Sequence, residues 1–320
     1  MIATAIAITG ATGFVGQRLV KLLQQNAKQF AAKLLVRDVA RARASGLDAA
    51  PCSLVEGALD CDAALDTLCA DAEVVIHLAG AITARDDAAF MTVNRDGTAA
   101  VLKAAQKAGV RDFILISSLA ARAPEISGYA ASKSAAEEIV REHASAGMRW
   151  LIVRPPAVYG PGDKATLPLL KALLQRVAVL PGSEQARFSM IYADDLADAI
   201  LTLASTHELR EQVIELDDGK AEGYSWNELA DIVSDARGKP VKTVFLPQFL
   251  LNFVANGMGL VSKVTGGLPM VTRGKVRELY HPDWVCTKRA VQENGIWSAK
   301  TRFSEGFEKT VSWYRGKGWI

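Results

Sequence analysis

Cysteine and histidine are scarce in this 320-residue chain, with four of each. Cys52, Cys61, Cys69 and Cys286 form no C-x-x-C pair and lack the density of a disulfide scaffold, so reduced thiols in a cytoplasmic protein are the expectation. His77, His143, His207 and His281 show no metal-ligand spacing, and no metal site is expected. A strong excess of one charge is missing too. The net charge of +2 excludes attraction to a polyanion by bulk charge, and no nucleic-acid partner is expected. The charge is uneven, however: from Lys263 onward, eleven Lys and Arg face five Asp and Glu. Internal repeats and low-complexity tracts are absent. The first residues, MIATAIAITG, lack a basic region and read as a buried strand, not a signal peptide. Residues 244–261, VFLPQFLLNFVANGMGLV, contain Pro247, Gln248, Asn252, Asn256 and two glycines, which make a poor spanning helix. The expectation there is a buried or substrate-capping helix, with membrane-surface contact as the alternative.

What the chain does have is a regular alternation of strand-length apolar runs and longer helical patterns. Residues 3–9, 33–37, 73–78, 112–117 and 149–153 read as strands, and helices fall at about 13–25, 92–108 and from 128 onward. Near-continuous Val, Ile and Leu in the strands implies burial on both faces. The predicted class is therefore α/β, a Rossmann-type doubly wound parallel sheet with a smaller C-terminal substrate-binding lobe. Past residue 160 the turns YGPGD and LPGSE weaken the pattern, and Ser225 with Glu228 forms a capping box ahead of a helix. A dinucleotide-binding unit is expected over 1–205 and a mixed lobe over 206–320. The two should interleave, with 160–190 a segment that could belong to the lobe.

The stretch ITGATGFVGQRLVKLL places Gly10, Gly13 and Gly16 between a strand and a helix. Gly10 suits a tight turn, Gly13 a close backbone approach to pyrophosphate, and Gly16 close helix–strand packing. Thr12, Phe14 and Val15 complete the expected cofactor-binding loop. At the end of the second strand, LLVRD offers Arg37 and then Asp38. A guanidinium pairs with a 2′-phosphate and a carboxylate accepts from a ribose diol. Arg37, with Arg41 and Arg43 nearby, favours NADP(H); Asp38 turned inward would select NAD(H).

Residues 128–138, GYAASKSAAEE, set Tyr129 and Lys133 four apart on one helix face. Alone, such a pair is ordinary surface. Its neighbours change that. TGATGFVG (9–16), VVIHLAG (74–80), VNRDGT (93–98), ISS (116–118), YAASK (129–133), RPPAVYGPGD (154–163) and IYADDLADAI (191–200) occur in an order that resembles an extended short-chain dehydrogenase/reductase of the NAD-dependent epimerase/dehydratase group. The resemblance covers about the first 205 residues.

That resemblance implies Tyr129 as general acid/base, Lys133 as the charge that lowers its pKa and holds the nicotinamide ribose, and Ser118 as a hydrogen-bonding partner of the reacting oxygen. Ser117 is the alternative to Ser118. Leu78, Ala79 and Gly80 would line the cofactor, Asn94 would help fix it, and Pro155 and Val158 would lie against the carboxamide. Asp195 is expected to cap a helix. Two features depart from the sugar-nucleotide members of the family. Ala157 stands where Asn is usual, and only ten residues separate Ser118 from Tyr129. Both make a nucleotide sugar less expected, and the apolar stretch 244–261 followed by a basic tail instead suits a moderately apolar small-molecule ketone or alcohol as substrate. A nucleotide-sugar epimerase or dehydratase and a non-catalytic cofactor-binding subunit are the alternatives, and a homodimer is left open.

Overall fold

A computed structural model describes residues 3–206, 211–265 and 272–320; His207 lies outside them. Strands and helices alternate from the first residues: β1 (Thr4–Thr9), α1 (Phe14–Gln25), β2 (Phe30–Val36), α2 (Val39–Ala44), β3 (Cys52–Glu56), α3 (Asp62–Cys69) and β4 (Val74–His77). Next come α4 (Asp87–Met91), a π-helical turn at Thr92–Asp96, α5 (Gly97–Lys107), β5 (Asp112–Ile116), α6 (Gly128–His143) and β6 (Arg149–Arg154). The chain then leaves the sheet through β7 (Ala157–Tyr159), α7 (Leu167–Leu173), β8 (Val177–Leu180), β9 (Arg187–Phe188) and β10 (Met190–Tyr192). It returns along α8 (Ala193–Ser205) to β11 (Gln212–Glu215).

Seven strands form one sheet in the order β11-β6-β5-β4-β1-β2-β3, every neighbouring pair parallel. Helices cover both faces, as a parallel sheet requires. One apolar core joins the sheet to α1 and α8, and a second joins its other face to α3, α5 and α6. The central strands β4 and β5 are buried along their whole length. The two strands unread in the sequence, β3 and β11, are the short edges, where partial exposure breaks the apolar run.

After β11 come α9 (Trp226–Arg237), β12 (Lys242–Phe245), α10 (Gln248–Thr265), α11 (Arg273–Tyr280), β13 (Asp283–Trp284), α12 (Ala290–Glu293) and α13 (Phe303–Gly316). The capping box of Ser225 and Glu228 is formed at α9. Strand pairing crosses residue 205 in both directions: β8 pairs with β12, β9 pairs with β13, and β11 joins the main sheet. Tyr159, Leu173, Trp226, Phe303 and Tyr314 belong to a third core that α7, α9 and α13 close. Helix α10 packs along α11, outside that core. Its Phe249 and Phe253 are 69% and 79% exposed, so the expected burial of residues 244–261 does not hold for this face.

One buried ion pair fixes α6 to the sheet. Arg154, the last residue of β6, reaches both carboxylate oxygens of Glu137 on α6, Nε to Oε1 at 2.8 Å and Nη2 to Oε2 at 2.6 Å. Ser117 Oγ donates to the same Oε1 at 2.6 Å, and Glu137 is fully buried. Removing one member of a buried pair leaves an uncompensated charge, at a cost of about 3–5 kcal/mol. Arg154→Met should lower the unfolding free energy by that amount in urea titrations, and Glu137→Leu added to it should recover part of the loss.

Candidate active site

The site lies along the C-terminal ends of the parallel strands, where open α/β sheets place their ligands. At the end of β1, Gly10 has φ +79°, a conformation that L side chains rarely adopt. A Cβ there would come within 2.6 Å of the Ala79 nitrogen and 2.7 Å of the Leu78 carbonyl carbon. A Cβ on Gly16 would fall 2.2 Å from Gly10 O, so α1 can approach the turn only as glycine. Gly13 is the N-cap of α1, and no side chain caps the first turn. The free N–H groups and the macrodipole of that helix make a cradle for an anion such as a pyrophosphate. Thr12 is exposed beside it and Val15 is half-buried against the sheet core. The Phe14 ring is covered by the Arg18 guanidinium at 4.2 Å.

At the end of β2, Asp38 serves as N-cap of α2, accepting from Arg41 N at 2.9 Å. Arg37 beside it is exposed. The carboxylate is thus engaged by its own helix, while the guanidinium is open to a ligand.

Between β4 and α6 a set of polar side chains that sequence reasoning missed holds the loop in place. Ala79 N donates to Thr9 Oγ1 at 3.3 Å, and Thr9 Oγ1 lies 2.6 Å from His77 Nδ1. His77 Nε2 is 3.1 Å from Thr98 Oγ1, which donates to Asn94 O at 2.6 Å. Because Thr98 spends its proton on Asn94, His77 must donate from Nε2 and accept at Nδ1. Burial pushes the imidazole down to about 3, with the Lys133 ammonium adding to the effect, so His77 is neutral. Histidine in an apolar strand carries no sequence signal for this role.

Asn94 stands on the π-helical turn and is also buried. Its Oδ1 accepts from Ala81 N at 2.7 Å, and its Nδ2 donates to Ala81 O at 3.1 Å and Ser132 Oγ at 2.8 Å. Both amide protons are committed within the protein, so Asn94 positions the 78–81 loop rather than offering a free donor. Gly80 is bounded by this arrangement: a Cβ there would meet Asn94 Oδ1 at 3.0 Å and Lys133 Nζ at 3.3 Å.

Helix α6 begins at its N-cap Ser127, which accepts from Ala130 N at 3.0 Å. A serine just ahead of a helical run was a readable signal for this cap. The first helical residue, Gly128, lies where a Cβ would strike the Asp87 side chain. That closeness brings α4 against α6 and sets the Phe90 ring 5.9 Å from the Tyr129 ring.

The Ser118 hydroxyl is near enough to the Tyr129 phenol to lower its pKa, while Ser117 donates to Glu137. Backbone bonds place Ser118: Ser117 N to Val153 O and Leu119 N to Pro155 O, both 2.8 Å. Ser118 Oγ also accepts from Ala120 N at 3.2 Å, so its own proton is free to point at the phenol. Burial pushes the Tyr129 phenol up to about 12; the Ser118 hydroxyl pulls it back, and the Glu278 carboxylate on α11 pushes it further up. Glu278 accepts from Ser127 and pairs with Lys275 at 3.0 Å.

Lys133 lies one turn beyond Tyr129 and donates to Ile116 O at 2.9 Å. Burial pushes its ammonium down to about 8, and Glu137 opposes the shift. Pro155 is buried at the end of β6, and Val158 is half-buried in β7 opposite Ile191. Asp195 does not cap its helix. It accepts from Lys300 N at 3.1 Å and Thr301 N at 2.7 Å, and so ties α8 to the C-terminal segment. Among the described residues no group of three His, Cys, Asp or Glu is arranged to hold a metal ion.

Comparison with known proteins matches this geometry to one family. The model of the NAD dependent epimerase/dehydratase family matches residues 6–215. A ceramide reductase from Caulobacter vibrioides is 40% identical over 317 residues, 98% of this chain and 96% of that protein. A UDP-glucose 4-epimerase from Vibrio cholerae is 28% identical, covering 96% of this chain and 94% of its own. Among solved structures, a UDP-glucuronic acid 4-epimerase from Bacillus cereus superposes with a TM-score of 0.74 at 18% identity, over 98% of this chain and all of that one.

The depressed Lys133 has a consequence for the ligand-free protein. A lysine that titrates at about 8 when folded and near 10.5 when unfolded destabilises the fold while both forms are charged. Lys133→Met should therefore raise the unfolding free energy at pH 7 by up to about 3 kcal/mol. That advantage should shrink as pH rises from about 8 to 10.5, a trend readable in denaturant titrations across pH.

Proposed function

Because the chain belongs to the NAD dependent epimerase/dehydratase family, we propose that it is an NADP(H)-dependent reductase. Its reaction interconverts a ketone and a secondary alcohol on a moderately apolar molecule. The observation that carries this reading is the meeting of the Ser118 hydroxyl with the Tyr129 phenol, with Lys133 one helical turn away.

The glycine turn at Gly10, Gly13 and Gly16 fits a pyrophosphate, and the 78–81 loop and Lys133 fit the nicotinamide end. When bound, the nicotinamide supplies or accepts the hydride. The chain's own part is the proton. A phenol that titrates at about 12 is protonated at neutral pH, as an acid for carbonyl reduction must be. Ser118 donates to the substrate oxygen as it gains charge, and Tyr129 Oη releases its proton to that oxygen. Lys133, buried and titrating near 8, supplies positive charge that stabilises the tyrosinate left behind. In the oxidative direction Tyr129 takes the proton back.

The exposed Arg37 beside a helix-capping Asp38 supports NADP(H) over NAD(H). An apolar substrate is supported by Ala157, by the ten-residue spacing from Ser118 to Tyr129, and by the 40% identity to a ceramide reductase. We assign cofactor binding to the unit over 1–205 and substrate selection to the lobe over 206–320. The second reading, a nucleotide-sugar epimerase, is supported by the Vibrio cholerae relative. Net redox separates the two: NADPH consumption with a long-chain ketone supports the reductase, and turnover of a UDP-sugar without net redox overturns it.

NADPH should raise the melting temperature more than NADH, and Arg37→Ala should erase the difference; equal shifts in the wild type would overturn the cofactor assignment. Tyr129→Phe should lower kcat by about 10²–10⁴-fold while NADPH affinity stays within a few-fold. Collapse of cofactor affinity in that variant would make Tyr129 a structural residue.

A further inference from the structure

We propose that the outer face of the lobe, formed by the β8–β12 ribbon and α10, docks onto an anionic lipid surface. In the ribbon, Val179 lies opposite Val244 and Val177 opposite Lys242. Side chains alternate along a strand, and here the outward set is Val177, Val179 and Val244, exposed by 45%, 46% and 49%. Pro247 then turns the chain into α10, where Phe249 and Phe253 project one turn apart at 69% and 79% exposure, with Val254 at 51%. Two phenylalanines left this open, and three valines turned outward on the ribbon that precedes them in the chain, are exposed apolar residues of the kind that marks an interaction surface.

Charge selects the occupant. Between Asp235 and Glu278 the sequence contains no Asp or Glu at all, yet it contains seven Lys and Arg. Lys242 shares the outward face of β12 with Val244, and Lys239 is exposed just before it. A second copy of the chain docked symmetrically here would bring Lys239 and Lys242 against the same lysines, which opposes a symmetric dimer through the face. An anionic bilayer satisfies both components, taking the aromatic side chains into the headgroup–acyl boundary and the cations onto its phosphates. Among the described residues no helix is long and apolar enough to cross a membrane, so the contact is a surface one.

The face is also joined to the reaction site. Helix α10 packs along α11, and α11 carries Glu278, the acceptor for the N-cap Ser127 of Tyr129's helix. A protein seated this way would hold the lobe against the lipid while the glycine turn stays with the sheet. The inference rests on surface chemistry alone and is independent of which reaction Tyr129 performs.

Sedimentation of the full chain with vesicles tests it. Vesicles of phosphatidylcholine mixed with phosphatidylglycerol should carry the protein down, pure phosphatidylcholine should do so at least several-fold less, and added salt should weaken the binding. Phe249→Ser with Phe253→Ser should reduce binding about tenfold or more, while the NADPH-induced melting shift persists. Lys239→Glu with Lys242→Glu, which leaves the apolar residues intact, should abolish the preference for anionic vesicles. Absence of sedimentation by the wild type overturns the proposal. So does binding that both variants retain, or a concentration-dependent dimer that the phenylalanine variant alone disperses.

Discussion

The buried pair between Glu137 and Arg154 is the constraint on which the rest of the site depends. It joins α6 to the end of β6 and occupies Ser117, so that the next hydroxyl in the chain, Ser118, is the one beside Tyr129. Glu137 also lies one turn from Lys133 on the same helix face and opposes the loss of its charge. A hydrophobic pair of equal volume would hold α6 to the sheet as well, since buried ion pairs seldom add net stability. It would not choose between two adjacent serines, nor temper a desolvated lysine. The pair therefore matters for placement more than for stability.

A second polar line runs through the apolar sheet from Thr9 across His77 to Thr98 and Asn94. Each hydroxyl and ring nitrogen in it has one assigned direction of donation. The line connects the end of β1, the end of β4 and the start of α5, the three places from which the 78–81 loop is hung. Burial keeps the imidazole neutral, so the line has no charge to disturb the lysine nearby. The two polar systems divide the work. One fixes the helix that carries Tyr129 and Lys133, and the other fixes the loop that faces them.

Much of this was legible in the sequence, and the boundary follows from physics. The parallel sheet could be read because central strands are buried on both faces and show as unbroken apolar runs. The edges β3 and β11 could not, since half-exposed strands of five and four residues carry no such signal. The glycine turn was readable because the chemistry of its residues depends on local backbone shape. Asp195 was misread as a cap because an Asp early in a helix looks the same whether it binds its own N–H groups or those of Lys300 and Thr301. The roles of His77 and Glu278 depend on contacts between residues distant in the chain. Residues 244–261 show a related limit: apolar composition does not tell which positions are covered, and here Phe245 packs against the third core and Ala255 is buried while Phe249 and Phe253 stay exposed.

The π-helical turn at Thr92–Asp96 has an implication for how the gene can change. A π turn holds one more residue than the α turn it replaces, and each helical residue advances the face by about 100°. Loss of one codon from this stretch would convert the turn to ordinary helix and swing Asn94 away from Ala81 and Ser132. Exchanges at the exposed Val93 leave the spacing intact. The segment thus tolerates exchange at Val93 but depends on both Asn94 and its length, and reading-frame-preserving deletions there should be purged where a point change at Val93 survives.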